Sequence, residues 1–378
     1  MNTFHKILSV IVFLYVAFVI TGCNKDENTC SQRTVETVDS DINTPTTWED
    51  CKVYLITANQ ITINSTLTIQ PGAIVKFSDN TIDNAIIVGP NGNISAIGTS
   101  DNPIIFTSVK DDAHGGDTNG DGNATLPTRG DWGGIVINNN NCEFTHCKFL
   151  YGGEGPGSSS GQPTLEFGYS YGKIDNCEFA YCGGESNYNG YGVVDAVYCQ
   201  NSQFQITNST FYGCIKPLRL NCFISVDSSN IFHNPANVSE TNLLNAIFMA
   251  ADPNSTSHDV IWLENEVPFV LTGSMYIGSG NKLILSNNVI IKMAFPANSP
   301  GYNKIAFDNN TSSIEGYNAS GVIFTSYLDD AHGGDSNGDG ANTTPSSNDW
   351  YGIQDISATI GTNNNCYAWN NILYRVYP

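Results

Sequence analysis

The chain has 378 residues, with 36 acidic against 15 basic side chains, a formal net charge of −21 and only 13% charged residues. Such an excess of acid repels phosphate backbones and anionic membrane surfaces at long range, and no cluster of Lys and Arg is present to release counterions, so nucleic acid is excluded as a partner. Hydrophobic residues make up 40% of the chain and aromatics 11%, enough to fill the core of one elongated domain or two compact ones.

A short basic start with His5 and Lys6 precedes an apolar run over residues 7–20. That run is too short to cross about 30 Å of hydrocarbon and reads as a secretory signal. It ends in Ile20-Thr21-Gly22-Cys23, which resembles the bacterial lipobox. The resemblance implies a signal peptide over 1–22 and acylation of Cys23, which would hold the protein in outer-membrane lipid. Two or more acyl chains at about 0.8 kcal/mol per buried CH₂ make such an anchor effectively permanent. The following Asn24-Lys25-Asp26-Glu27 resembles the export tag of Bacteroidota-type lipoproteins and implies display at the cell surface, with the periplasmic face as the alternative. Residues 23–47 are polar and read as a lipidated cysteine followed by a flexible tether.

From Trp48 onward, short β runs alternate with Gly, Asn, Asp and Pro. One stretch, residues 241–251, has helix-like spacing through Leu243, Leu244, Ile247 and Phe248. The chain also repeats itself. Ile105-Phe106-Thr107-Ser108, Asp111 to Gly122 and Asp131-Trp132 recur 218 residues later as Ile323 to Ser326, Asp329 to Gly340 and Asp349-Trp350. Leu67 to Phe77 matches Leu283 to Met293 at an offset of 216, and Trp48 finds Trp262. Two homologous modules are expected, 48–240 and 241–378.

A finer echo follows Trp132. Phe144, Cys147 and Phe149 correspond to Ile174, Cys177 and Phe179, then to Ile206, Ser209 and Phe211, with Val226 to Ile231 a fainter fourth copy. Side chains recurring at equivalent positions are what a solenoid needs to bury a continuous core. Leu67-Thr-Ile-Gln-Pro-Gly72-Ala-Ile-Val-Lys-Phe77, Ile97-Gly-Thr99, Asn102 to Thr107 and Gly130-Asp-Trp-Gly-Gly-Ile135 together resemble the repeats of the pectin-lyase-like superfamily. The resemblance implies an all-β, right-handed parallel β-helix.

Setting Cys23 aside, ten cysteines remain, an even number for an exported chain. Cys30 and Cys51 flank the tether and are placed to staple it. No CxxC occurs, which argues against zinc, and Cys147 and Cys177 read as small apolar residues stacked inside the coil, against the alternative of disulfides within the cluster 142–222.

Asp117-x-Asn119-x-Asp121-Gly122 and Asp335-x-Asn337-x-Asp339-Gly340 each match the first half of a calcium loop, with oxygen ligands at positions one, three and five and glycine at six. Thr128 and Ser346 occupy position twelve, where an EF-hand has Glu. Closure of the site falls instead to Asp131 and Asp349, or to Asp111, Asp112, Asp329 and Asp330. No Lys or Arg occurs between Lys304 and Arg375, and Lys110 and Arg129 of the first copy become Leu328 and Ser347 in the second. Close carboxylate pairs repel by about 4 kcal/mol at an effective dielectric of 20. A hard divalent cation, Ca²⁺ above all, removes that repulsion. His114 and His332 accompany the loops as backbone-bonding residues.

Sites for catalysis are sparse. A calcium-dependent polyuronate lyase needs a basic residue, for which Lys173, Lys216 and Arg219 are the candidates. Neither the paired aspartates with Gly-His-Gly of related hydrolases, nor Gly-x-Ser-x-Gly, nor a phosphate loop is present. Tyr169, Tyr171, Tyr181, Tyr188, Tyr191 and Tyr198 are either aromatic rungs of the coils or a surface for sugar rings. The expectation is a non-enzymatic, calcium-stabilised surface protein that binds extracellular glycan or protein, with the lyase as alternative.

Overall fold

The computed structural model describes residues 30 and 33–354, apart from 79–83, 139–141, 154–160, 169, 185–193, 202, 295–302 and 347–348. The expected signal peptide, Cys23, Tyr169, Tyr188, Tyr191, Ser347 and Cys366 lie outside the described residues.

Polar and apolar residues alternate along many of the short strands, so each strand turns one row inward. In Gln60–Ile63 and Thr66–Ile69 the inward residues are Ile61, Ile63, Leu67 and Ile69, all buried. Strands this short cannot bury a core alone, and they stack in parallel on the strands of the coils before and after. Ile74–Phe77 belongs to a seven-stranded sheet, Ala85–Val88 to a ten-stranded sheet and Asn93–Ile97 to a six-stranded sheet. Ile104–Ser108 then returns to pair with Ile74–Phe77. This rotation through three faces is a parallel β-helix, consistent with the right-handed winding that strand twist favours. In residues 260–354, two three-stranded parallel sheets alternate with the ten-stranded one. His233–Asn234 and Asn237–Thr241 form the antiparallel pair among the described strands.

In-register stacking places like on like. Phe106, Phe149, Phe179, Phe211 and Phe232 form a column with centroid spacings of 4.9, 4.7, 4.9 and 5.6 Å and planes within 16° of parallel. The period is the spacing of hydrogen-bonded strands. Each buried ring contributes about 1.5–3 kcal/mol by area alone. The fourth copy of the finer echo therefore ends at Phe232, one residue beyond the Ile231 expected from spacing, while Ile231 bridges to Thr210.

The cysteines behave as small buried residues. Cys142, Cys147, Cys177, Cys182, Cys199, Cys214 and Cys222 are free thiols inside the coil. Four of them donate to carbonyls of the preceding coil: Cys147 to Ala96 at 3.3 Å, Cys177 to Phe144 at 3.4 Å, Cys182 to Phe149 at 3.2 Å and Cys214 to Phe179 at 3.4 Å. Burial pushes the Cys199 and Cys222 thiols up to about 12, which suppresses the reactive thiolate. Cys30 and Cys51 form a disulfide with Cα atoms 5.3 Å apart.

Two expectations need correction. The tether does not reach residue 47: Thr34–Val38 pairs in register with Lys52–Ile56, Thr46–Trp48 pairs with Thr66–Ile69, and Ile42 is buried. Strand Thr34–Val38 is the outermost of its sheet and largely exposed, so its polar composition looks like that of a linker. Nor is 241–251 helical. Ile247–Ala250 is a strand of the ten-stranded sheet, with Ile247 and Met249 in the main core. Leu244, Ala246, Phe248 and Val270 form a separate cluster, leaving Leu243 exposed. A strand covered on both sides loses the polar alternation that marks a strand in sequence.

The internal repeat is turned about the helix axis. Ile74–Phe77 and Ile104–Ser108 lie in the seven-stranded sheet, whereas their counterparts Ile290–Met293 and Ile323–Ser326 lie in the ten-stranded one. The first acidic loop thus leaves one face and the second leaves another. The ten-stranded sheet runs without interruption across residue 240, through the pairing of Lys216–Asn221 with Ile247–Ala250.

Candidate functional site

Each acidic loop is organised by its first aspartate. Asp117 Oδ1 accepts from the amides of Gly120 and Asp121 at 2.6 and 3.2 Å, and Oδ2 from Gly122 at 2.9 Å. Asp335 repeats the pattern with Gly338, Asp339 and Gly340 at 2.6, 3.2 and 2.8 Å. The bend this imposes needs a left-handed residue at position six, and Gly122 and Gly340 both have φ of 64°. The third aspartate closes the turn. Asp121 accepts from Ala124 N and Thr125 N at 3.0 Å and from Asn119 Nδ2 at 3.0 Å, and also from the Thr125 hydroxyl. Asp339 is held the same way by Asn342, Thr343 and Asn337. Hydrogen bonding by Thr125 and by Thr343 keeps Asp121 and Asp339 below the usual carboxylate range.

The loops gather three carboxylates each. Oxygens of Asp112, Asp117 and Asp121 lie within 4.8 Å of one another, as do those of Asp330, Asp335 and Asp339. Oxygens this close to one another can share a single bound cation. Asp112 Oδ1 and both carboxylate oxygens of Asp330 are shielded from solvent and have no hydrogen-bond partner. Burial, reinforced by the charges of Asp335 and Asp339, raises the Asp330 carboxyl above its usual range. Two clusters of hard oxygen donors with orphaned lone pairs could hold a divalent cation.

The other expected acidic ligands are placed elsewhere. Asp111 and Asp329 are buried braces: Asp111 accepts from the Thr107 hydroxyl at 2.6 Å and His114 Nδ1 at 2.7 Å, and Asp329 from Thr325 at 2.5 Å and His332 at 2.8 Å. Although burial opposes ionisation of Asp111, the bonds from His114 and Thr107 outweigh it and lower its pKa. Asp131 pairs with Lys110 at 3.1 Å and accepts from Thr128, while Asp349 accepts from Ser326 and Ser346. Asn119 and Asn337 are bonded within their own loops.

The sequence reading missed the cations beneath the loops. Lys76, fully buried, donates to Asp111 O at 2.9 Å, Gly116 O at 2.7 Å and Thr118 Oγ1 at 3.1 Å. Lys292 is its fully buried counterpart and donates to Gly334 O at 2.5 Å. Burial pulls both ammonium groups down, Lys292 to about 8, against the pull of the neighbouring aspartates. The carboxylates around the second loop are therefore not uncompensated, as the basic-free stretch after Lys304 implied: the positive charge comes from a strand about 40 residues upstream. Its signal was a lysine inside an all-apolar strand in both copies.

The candidate lyase bases are spoken for. Buried Asp195 accepts from Arg219 Nε at 2.6 Å and has Lys216 Nζ at 3.4 Å. Arg219 also lies over the Tyr198 ring at 3.8 Å and Lys216 over Phe248 at 4.1 Å, contacts worth about 0.5–2 kcal/mol each. Lys173 pairs with Glu143 at 3.1 Å and Asp175 at 3.7 Å. Of the six tyrosines singled out, Tyr198 is a rung beneath Arg219, and Tyr181 stacks on Tyr151 at 5.6 Å. Tyr171 is exposed.

Residues 40–166 match a family model described as a pectate-lyase like beta helix domain, and this part of the chain is a pectate-lyase-like parallel β-helix. The match includes the first acidic loop and ends before the Asp195 cluster. Neither the curated proteins nor the solved structures include a match to this chain.

Proposed function

We propose that this protein is an outer-membrane lipoprotein, anchored through acylated Cys23 and displayed at the cell surface, whose rigid β-helix binds extracellular glycan or protein without catalysis and is stabilised by calcium at its two acidic loops. The observation that carries the calcium part of the reading is the pair of three-carboxylate clusters at equivalent positions, each with an orphaned, solvent-shielded oxygen on Asp112 or Asp330. A cation there relieves repulsion and supplies the missing partner, and oxygen-only donors at this spacing favour Ca²⁺. The six residues Asp112, Asp117, Asp121, Asp330, Asp335 and Asp339 would hold the ions. The ion pairs of the three candidate bases support binding without catalysis: Lys216 and Arg219 serve Asp195, and Lys173 serves Glu143.

The test is a titration of the full-length chain in detergent, after chelation, with Ca²⁺ and separately Mg²⁺, following the melting temperature. The reading expects a calcium-selective rise that saturates at two ions per chain. An unchanged melting temperature at millimolar Ca²⁺ refutes the cation sites. In parallel, polygalacturonate and alginate incubated with the calcium-loaded protein should release no unsaturated, ultraviolet-absorbing products; their release, lost in Lys216→Ala or Arg219→Ala, establishes the lyase alternative instead.

A further inference from the structure

The two modules are joined unequally around the helix axis. The six- and seven-stranded sheets end at Gln205–Thr207 and Thr210–Tyr212, and the two three-stranded sheets begin at Val260–Trp262 and Met275–Ile277. Among the described strands, only the ten-stranded sheet crosses the junction. Elsewhere the join rests on single bridges, Thr210 to Ile231 and Val226 to Trp262, and on the turn at residues 263–267. Leu263 N donates to Val226 O at 2.9 Å. Glu266 then reaches the last ring of the Phe column: its two oxygens accept from Phe232 N at 3.2 and 3.1 Å, and Oε1 also meets His233 Nδ1 at 2.6 Å. His233 opens the antiparallel hairpin whose Glu240 accepts from the Tyr181 hydroxyl at 2.6 Å. The turn thus clasps the hairpin and the end of the column to the second module.

Within this clasp one carboxyl is only half satisfied. Glu264 is 2% exposed. Its Oε1 accepts from Asn265 N at 2.8 Å and from Glu266 N at 2.7 Å, whereas Oε2 is shielded from solvent and has no hydrogen-bond partner. The charged groups that bear on it are Glu266 from its own turn and Asp227 from the segment before the hairpin, both of like sign. From the next coil comes the uncharged Ser286, whose hydroxyl bonds to Leu263 O at 3.1 Å. A buried carboxylate oxygen with neither water nor a donor is costly, and such a group takes up a proton instead. Burial pushes Glu264 up to about 7, against its two amide bonds and with the repulsion of Glu266 and Asp227 added.

We propose that Glu264 is a proton-binding site that governs the clasp: the turn closes on Phe232 and the hairpin while the Glu264 carboxyl carries a proton, and loosens when it ionises. Ionisation puts a third negative charge beside Glu266 and Asp227 and leaves Oε2 without solvent, and the turn can hydrate that oxygen only by moving off the coil, which withdraws Glu266 from Phe232 N. The sign follows from linkage. In the opened turn Glu264 titrates in the ordinary carboxylate range, so the closed form binds the proton more tightly. Its advantage is complete below that range, falls as pH rises toward 7, and is level above. Each unit of difference is tenfold in the opening equilibrium, on the order of a hundredfold over the whole interval. The junction is therefore tight in acid and yields toward neutral pH on the side away from the ten-stranded sheet. Loss of the His233 proton weakens its pairing with Glu266 in the same direction, so the two groups have to be separated.

The experiment is hydrogen exchange of the full-length chain in detergent and excess Ca²⁺ between pH 5 and 8.5, expressed as protection relative to the intrinsic rate at each pH. Protection of the Phe232, Asn265 and Glu266 amides should fall at least tenfold between pH 5 and 7 and then level off, while that of residues 269–271 in the ten-stranded sheet holds. Glu264→Gln, which keeps the shape and the Oε1 acceptor but stays neutral, should remove the fall, and His233→Asn should retain most of it. Flat protection at the three amides in the wild-type chain overturns the proposal without recourse to any variant. A fall that persists in Glu264→Gln, or one that His233→Asn abolishes, overturns it in favour of the histidine. A parallel fall at residues 269–271 also overturns it, since the whole coil and not the clasp is then responding.

Discussion

In the first acidic loop, Lys110 pairs with Asp131, and Lys76 offers its ammonium group to two carbonyls and a hydroxyl. In the second, Leu328 stands where Lys110 would be, Asp349 accepts from the uncharged Ser326 hydroxyl, and Lys292 donates to the Gly334 carbonyl. The backbone turns are bonded in the same pattern, with corresponding distances that differ by at most 0.1 Å among the three amide bonds to Asp117 and Asp335. Turn geometry is thus set by the Asp-x-Asn-x-Asp-Gly pattern alone, while charge compensation is set by the residues around it. The second loop has less positive charge and leaves both oxygens of Asp330 without partners where the first leaves one of Asp112. It should therefore depend more heavily on a bound cation.

The buried lysines give the largest test. Lys76→Met leaves three buried acceptors, the Asp111 and Gly116 carbonyls and the Thr118 hydroxyl, without their donor, a loss of about 3–5 kcal/mol. Lys292→Met removes fewer hydrogen bonds and should cost about 2–3 kcal/mol. Both are read by denaturant unfolding of the calcium-loaded chain; a larger loss from Lys292→Met reverses the ranking of the two loops.

Chelation comes next. Removing a ligand held at 100 times its Kd withdraws about 2.7 kcal/mol per site. Hydrogen exchange after chelator treatment should accelerate at residues 335–343 more than at 117–125. Equal acceleration means that Lys110 and Asp131 play no part in the difference.

Much of this was legible in the residues. The alternation in Gln60–Ile63, the Phe column and the Cys147–Cys177 stack follow from spacing, because an in-register solenoid writes its rungs into the sequence as repeats. The start of the fold at Thr34 was not legible, since the outermost strand of a sheet has only one neighbour and can be polar throughout. Ile247–Ala250 failed for the opposite reason, being covered on both faces. At the loops, Asp117, Asp121, Asp335 and Asp339 declared themselves by local pattern. The burial of Asp111 and Asp329, and the lysines beneath them, depend on strands that only winding brings together. The Tyr151 and Tyr181 rungs were hidden in a glycine-rich stretch, where nothing local marks a left-handed aromatic.

A smaller effect separates geometry from charge. Asp117→Asn and Asp335→Asn keep one carbonyl oxygen but place a donor opposite the amide of Gly122 or Gly340. Each should cost about 1–2 kcal/mol without cation, nearly equally because the bonds are equivalent. With calcium present the two should diverge, the Asp335→Asn chain losing more of its cation-induced rise in melting temperature.

The smallest change is the most direct conversion of one loop into the other. Leu328→Lys restores at the second loop the charge that Lys110 supplies at the first, within reach of Asp349 if it follows the same course. A partly exposed ion pair of this kind contributes about 0–1 kcal/mol, so the gain in cation-free stability is modest. Its value lies in the response to chelation: the excess exchange at residues 335–343 should shrink toward the level seen at 117–125. If the variant melts higher without cation yet keeps its full sensitivity to chelator, the two orphaned oxygens of Asp330, and not the missing lysine, are the source of the second loop's cation dependence.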